Sequence, residues 1–194
     1  WLSGVYAPAG TYTSSSTIVI PQGKHVRLIG DGPFSTIIAC DNANADVLRI
    51  KGDYSTIENL TIRGSGVSGT GRGIVIGMLA ADSPNDIMRR VSVIGCRVAN
   101  TPSWSMYIYG QDDPNHVAEK TLLIWGHFER TDFINNVADG LLWLGIENNA
   151  NKFLNCSFTE FRGVALDGHG IASTSFDGTP ISQANGAFNQ PSIC

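Results

Sequence analysis

Apolar and polar positions along the chain fall into a phrase that returns four times: Ile57-Glu58-Asn59-Leu60-Thr61-Ile62, Val93-Ile94-Gly95-Cys96-Arg97-Val98, Leu123-Ile124-Trp125-Gly126-His127-Phe128 and Phe153-Leu154-Asn155-Cys156-Ser157-Phe158. The first positions, 57, 93, 123 and 153, are separated by 36, 30 and 30 residues. The first, fourth and sixth residues of each copy are apolar or small. The last two alternate as one face of a strand, and the break between the first and the fourth predicts a bend. A second phrase is interleaved: Leu48-Arg49-Ile50, Ile74-Val75-Ile76, Met106-Tyr107-Ile108, Leu142-Trp143-Leu144 and Val164-Ala165-Leu166, each followed within two residues by glycine. These read as short strands closed by a turn that a Cβ would hinder. The alternation predicts about three short strands per turn of a repeat array with no helical stripe between them. One such unit cannot bury its apolar face alone, whereas stacked units can. The expected fold is all-β, a right-handed parallel β-helix: a single-stranded solenoid of about six coils over residues 1–176, with 177–194 an irregular C-terminal segment or linker. A β-sandwich lectin is disfavoured, because no series of two-residue hairpin turns joins the strands.

Composition narrows the partners. The 194 residues are 42% hydrophobic, enough for one core, and 13 Lys and Arg against 17 Asp and Glu leave a net charge of −4 with no basic run. Nucleic acid and acidic membrane surfaces call for concentrated positive charge and are disfavoured. No stretch has the length of a membrane span and no secretory signal opens the chain, so membrane insertion is not expected. The chain starts at Trp1 within the strand pattern and reads as a piece of a longer protein. Cys96 and Cys156 share a repeat position two coils apart with Gly126 between them. A rise of about 4.8 Å per strand separates them by roughly 10 Å, beyond disulfide reach. No spacing of Cys and His suggests zinc, and neither a metal nor another cofactor is expected.

Residues 5–40 carry a resemblance to a known family. Pro8-Ala9-Gly10-Thr11-Tyr12, then Leu28-Ile29-Gly30-Asp31-Gly32, then Ser35-Thr36-Ile37-Ile38 resemble the opening of the pectate-lyase-superfamily domain of phage tailspikes, capsular depolymerases and some glucanases. The resemblance implies a right-handed parallel β-helix acting on polysaccharide, an extracellular or virion-surface location and, for a tailspike, a homotrimer. It also implies an upstream capping helix and acidic segment that this sequence does not contain. The competing expectation is a non-catalytic structural spike or adhesin, using the same surface for subunit or receptor contacts.

Candidate chemistry falls in three places. If Met106 and Ile108 face inward, Tyr107 faces out, as does Trp143 between Leu142 and Leu144. With Tyr109, these rings are expected as an exposed aromatic row suited to the apolar faces of sugars. Counted from Gly110 and Gly145, Asp112 and Glu147 occupy the same position on successive coils, roughly 5 Å apart if the loops track each other. His169 follows Gly168 on the next coil. This trio could act as acid, base or nucleophile on a glycosidic bond, although Asp112-Asp113-Pro114-Asn115 is also ordinary turn composition. A rival outward row, Thr61, Arg97, His127 and Ser157, puts Arg97 beside His127 to hold a sugar carboxylate, with His127 or Glu129 abstracting a proton. The "DD" and "GHG" pairs at 112–113 and 168–170 are too far apart to match the polygalacturonase pattern. Gly64-Ser65-Gly66-Val67-Ser68-Gly69-Thr70-Gly71 reads as a flexible loop, not a phosphate cradle. Asn59 and Asn155 match the N-glycosylation triplet, but their place at the bend favours structural use.

Overall fold

A computed structural model describes residues 2–82, 87–110, 117–134, 140–145, 148–159, 164–168 and 174–178. The chain winds as a parallel β-helix. A seven-stranded first sheet stacks Leu2–Ala7, His25–Gly30, Thr56–Glu58, Ser92–Ile94, His127–Glu129, Lys152–Leu154 and Ser175–Asp177. A second, six-stranded sheet stacks Gly10–Ser14, Thr36–Cys40, Thr61–Arg63, Arg97–Ala99, Asp132–Ile134 and Ser157–Thr159. The third, also six-stranded, stacks Ile18–Ile20, Leu48–Ile50, Ile74–Ile76, Met106–Ile108, Gly140–Leu144 and Val164–Gly168. Every strand pair among these is parallel, and the strands of each coil come in chain order. The six-coil expectation therefore holds.

The predicted bend sits at the third position of the phrase. Asn59, Gly95, Arg130, Asn155 and Gly178 all have left-handed φ values, between 47° and 60°, which reverse the pleat and bring the next residue inward. Asparagine and glycine recur there because they enter that conformation at least cost. The column is also a hydrogen-bond ladder: the amides of Asn59, Gly95, Arg130 and Asn155 donate to the carbonyls of Ile94, Glu129, Leu154 and Asp177 in the next coil, at 2.9–3.1 Å.

In the first sheet one register differs from the expected one. Val93 pairs with Phe128, not Leu123, and Phe128 pairs with Phe153, so the steps are 36, 35 and 25. Leu123 belongs to an additional two-stranded sheet of Ile87–Arg89 and Leu122–Ile124, beside Met88. The reason is a second corner five residues earlier that carries the same phrase, with Tyr54, Arg90, Trp125 and Ala150 at φ 53–57°. In the next coil the inward positions of that corner hold Asn148 and Asn151, both buried. Asn148 accepts from the Leu123 amide at 2.7 Å and donates to the carbonyls of Tyr109 and Gly145. Asn151 accepts from the Gly126 amide and donates to the Leu123 carbonyl. These two side chains add to the backbone bonds that Asn149 makes with Leu123 and Trp125, in place of a full third strand.

The same shift moves the residue between Cys96 and Cys156. It is Thr131, whose hydroxyl donates to the Val93 carbonyl as the Cys96 thiol does to that of Ile57. Both cysteines are buried and free, and burial pushes their pKa values up, to about 12 and about 11. In the third sheet Leu142 pairs with Leu166, two residues from the expected Val164.

Inward columns form one continuous core. Leu28, Ile57 and Val93 give way to Phe128, Phe153 and Phe176, stacked at 4.5 and 4.8 Å between centroids. Phe133 and Phe158 stack likewise at 4.9 Å. Phe153 is fully buried with a ring above and below. Phe153→Ala is expected to cost about 3–5 kcal/mol through lost transfer energy and an unfilled cavity, read as a lowered midpoint in urea unfolding at unchanged slope.

Candidate functional site

The turn from the second sheet into the third has a different character from the left-handed corners. Its four successive segments, around 15–17, 42–46, 69–72 and 103–104, line a groove of about 730 Å³, within the roughly 300–1,000 Å³ of small-molecule sites. The Gly64–Gly71 segment is packed against its neighbours: a Cβ on Gly69 would lie 2.2 Å from the Ala43 carbonyl oxygen, and one on Gly71 2.3 Å from that of Ala45. These glycines allow close approach between coils, which replaces the expected flexible loop. The Asn44 side chain accepts from the backbone amide of Thr70, and the Asn44 backbone amide donates to the Asn42 side chain.

Asp46 and Arg72 face each other across this ladder. Arg72 Nε donates to Asp46 Oδ1 at 2.9 Å and Nη2 to Oδ2 at 3.1 Å, a bidentate pair. The guanidinium lies 4.6 Å from the Tyr107 ring centroid and donates to the Tyr109 hydroxyl at 3.3 Å. Burial alone would lower the Arg72 pKa, but the hydrogen bonds and charge of Asp46 outweigh it and raise it above the ordinary arginine value. The bidentate pair fixes the Arg72 side chain against the wall of the groove.

Tyr107 and Trp143 are register partners, stacked 5.3 Å apart at an interplanar angle of 5°. Their expected exposure is not found. Tyr107, Tyr109 and Trp143 are 7%, 3% and 9% exposed, under Leu79 and Trp104. The cover comes from excursions between coils. Glu119 accepts from the Tyr107 hydroxyl at 2.9 Å and from the Gly110 amide at 3.0 Å. Burial, then the charge of Glu119, raises the Tyr107 pKa well above the ordinary phenol value, which keeps it a donor. The Ala80–Asp82 turn is clamped onto the third sheet by Asp82, which meets Lys51 Nζ at 2.6 Å and Arg49 Nη2 at 3.5 Å. Trp104, which the periodicity did not single out, both covers Trp143 at 5.5 Å and lines the groove. Its only sequence signal was a tryptophan among small residues just ahead of a strand.

Arg97 and His127 are not neighbours. Arg97 stands in the second sheet between Thr61 and Asp132, and His127 in the first between Ser92 and Lys152. The five-residue register shift separates them. Arg97 lies 5.5 Å from the ring centroid of the exposed Phe34. His127 Nε2 is 3.0 Å from Glu129 Oε2, with Arg130 on the other oxygen. The His127 hydrogen bond is the largest influence on the Glu129 carboxyl, and with the charges of Arg130, His127 and Lys152 it outweighs the opposing effect of burial and holds the carboxyl below its usual range. Glu129 is therefore a weak base. Asp112, Glu147 and His169 lie outside the described residues. The strand register pairs Ile108 with Leu144, so Gly110 lies one residue further on than Gly145, and counting from the glycines offsets the two loops by one. Among the described residues no group of three or more His, Cys, Asp or Glu is placed to hold a metal.

No family profile and no curated protein sequence matches this chain. Among solved structures it is similar to "Geobacillus virus E2 - ORF18", at a TM-score of 0.44 and 16% identity over 96% of this chain and 54% of that one. The chain spans about half the length of that structure.

Burial acts to raise the Asp82 pKa, whereas the Lys51 hydrogen bond, the Leu79 amide and the charges of Lys51 and Arg49 together lower it below the ordinary carboxylate value. A depressed folded pKa gives stability that is present above the unfolded value, about 4, and lost as pH falls through the folded one. The amide of Leu79, which donates to Asp82 Oδ2 at 3.0 Å, should therefore lose hydrogen-exchange protection in acid before Phe128 does.

Proposed function

We propose that this chain is the glycan-binding β-helix of a surface spike, holding a polysaccharide along the corner between its second and third sheets. One observation carries the reading: amide, hydroxyl and carboxylate side chains from four successive coils line the same groove as Trp104. First and fourth coils are about 14 Å apart at the usual strand spacing, so the groove suits an extended chain better than a compact ligand. Sugars present hydroxyls to polar side chains and C–H faces to flat rings. Asn42, Asn44, Thr70 and Ser103 supply the first kind of contact and Trp104 the second.

Degradation belongs to the same proposal through Asp112, Glu147 and His169, the acid, base and nucleophile candidates. The virion or extracellular location and the homotrimer rest on the sequence resemblance. A purely structural spike is the second reading, favoured by the burial of Tyr107 and Trp143, whose rings then serve packing.

The test is a panel of capsular and cell-wall polysaccharides, with binding followed by affinity electrophoresis and products by ultraviolet absorbance and reducing-end assay. Trp104→Ala should weaken binding at least tenfold with the β-sheet circular dichroism retained. New absorbance from unsaturated ends would identify a lyase, and reducing ends without it a hydrolase. Absence of binding to every glycan would leave the structural spike.

A further inference from the structure

The earlier left-handed corner, which leads into the strands of the first sheet, carries Tyr54, Arg90 and Trp125 on three successive coils. At the later corner Asn59, Gly95 and Asn155 take the same conformation at less cost. The amides of Tyr54, Arg90 and Trp125 join the ladder to the next coil, but the backbone amide of an asparagine would do so equally well. Packing does not explain the choice either: Tyr54 is 45% and Trp125 52% exposed, and Arg90 is exposed between them. Three bulky side chains in an unfavourable backbone conformation therefore stand as a ridge on the surface. Strain held at such a position points to a use outside the fold.

The ridge is built of the residue types that carry protein contacts, in which Trp, Tyr and Arg are enriched at the centre. Its one charge is unmatched. The Arg90 guanidinium lies 5.7 Å from the Trp125 ring centroid and faces no carboxylate among the described residues, whereas Arg27, Arg89, Arg130 and Lys152 each do. A complement lies across the first sheet. Phe34 is 77% exposed. Asp132, at the start of its second-sheet strand, is exposed, accepts from the Ser157 hydroxyl and makes no ion pair among the described residues.

We propose that the ridge is a contact for a second copy of this chain standing parallel beside the first, with Tyr54, Arg90 and Trp125 of one protomer against Phe34 and Asp132 of the next. Both halves belong to one chain, but they lie beyond opposite ends of the first-sheet strands and cannot meet within a molecule. Their heights agree. Phe34 stands one coil before Tyr54 and Asp132 one coil after Arg90, offsets of about 4.8 Å that an aromatic or arginine side chain spans. A patch that meets a different patch makes a heterologous contact, which closes as a ring where the rotation allows. The homotrimer proposed above is such a ring, and the inference gives it a surface without resting on the glycan reading.

Sedimentation velocity of the intact protein should show an oligomer that dissociates on dilution. Arg90→Asp and Asp132→Arg should each weaken association at least tenfold, and the two together should restore it to within threefold of wild type. Trp125→Asn supplies a second measurement, because asparagine enters the left-handed conformation more readily than tryptophan. It should weaken association at least tenfold. In the Asp132→Arg background, where the contact is already broken, it should leave the melting temperature unchanged or raise it. A melting temperature lowered there would show that Trp125 serves the fold, and would overturn the ridge as a contact. A double variant as weak as the single ones would overturn the pairing of Arg90 with Asp132. An oligomer indifferent to every substitution would overturn the ridge and leave the homotrimer to another surface. A wild-type chain that stays monomeric at every concentration would overturn ridge and homotrimer together, with the glycan reading untouched.

Discussion

Each coil of this protein is tied to the next by backbone amides at left-handed corners. A non-glycine residue in that conformation carries a penalty of roughly 1–2 kcal/mol, and here Tyr54, Arg90, Trp125, Arg130 and Ala150 all adopt it. The penalty is offset because the amides of Tyr54, Arg90, Trp125 and Arg130 each find a carbonyl in the adjacent coil and the residue after each corner turns into the core. The corners therefore set the register, and the register puts side chains in vertical columns. Everything else in the molecule is a consequence of which residues fall in one column.

That dependence explains what alternation in the sequence could and could not reveal. Three parallel faces, the bend at the third position of the phrase and the pairing of Tyr107 with Trp143 were all legible, because each follows from a two-residue period or from a small residue at a turn. The position of Leu123 was not. Two corners five residues apart carry the same apolar spacing, and Leu123-Gly126-Phe128 satisfies the pattern of the corner at Asn59, Gly95, Arg130 and Asn155 while occupying the earlier one at Tyr54, Arg90, Trp125 and Ala150. The distinguishing feature is chemical: at the earlier corner the next coil has Asn148 and Asn151, which pair with backbone, where the pattern looks for apolar residues. The cost of the misread register was the supposed pairing of Arg97 with His127.

The aromatic row shows a different limit. Alternation tells which way Tyr107 and Trp143 point but not what folds over them. Their cover comes from aperiodic excursions, held by single contacts: Asp82 on Lys51 and Arg49, Glu119 on Tyr107 and Gly110. None of these contacts leaves a repeat in the sequence. Asp112, Glu147 and His169 lie outside the described residues.

The same reasoning separates the two aromatic groups by role. A ring whose polar tip is bound within the fold, as the Tyr107 hydroxyl is to Glu119, is already committed to packing, and opening it to a sugar would expose a buried carboxylate. Trp104 has no such commitment on its groove side. The cations divide in the same way. Arg72 is locked by a bidentate carboxylate and by two tyrosine rings, so it shapes the wall. Arg63, whose register partners are Ala39 and Ala99, faces no carboxylate among the described residues. The corner between the second and third sheets, where Trp104 lines a groove beside polar side chains from four coils, is where this surface has chemistry to spare.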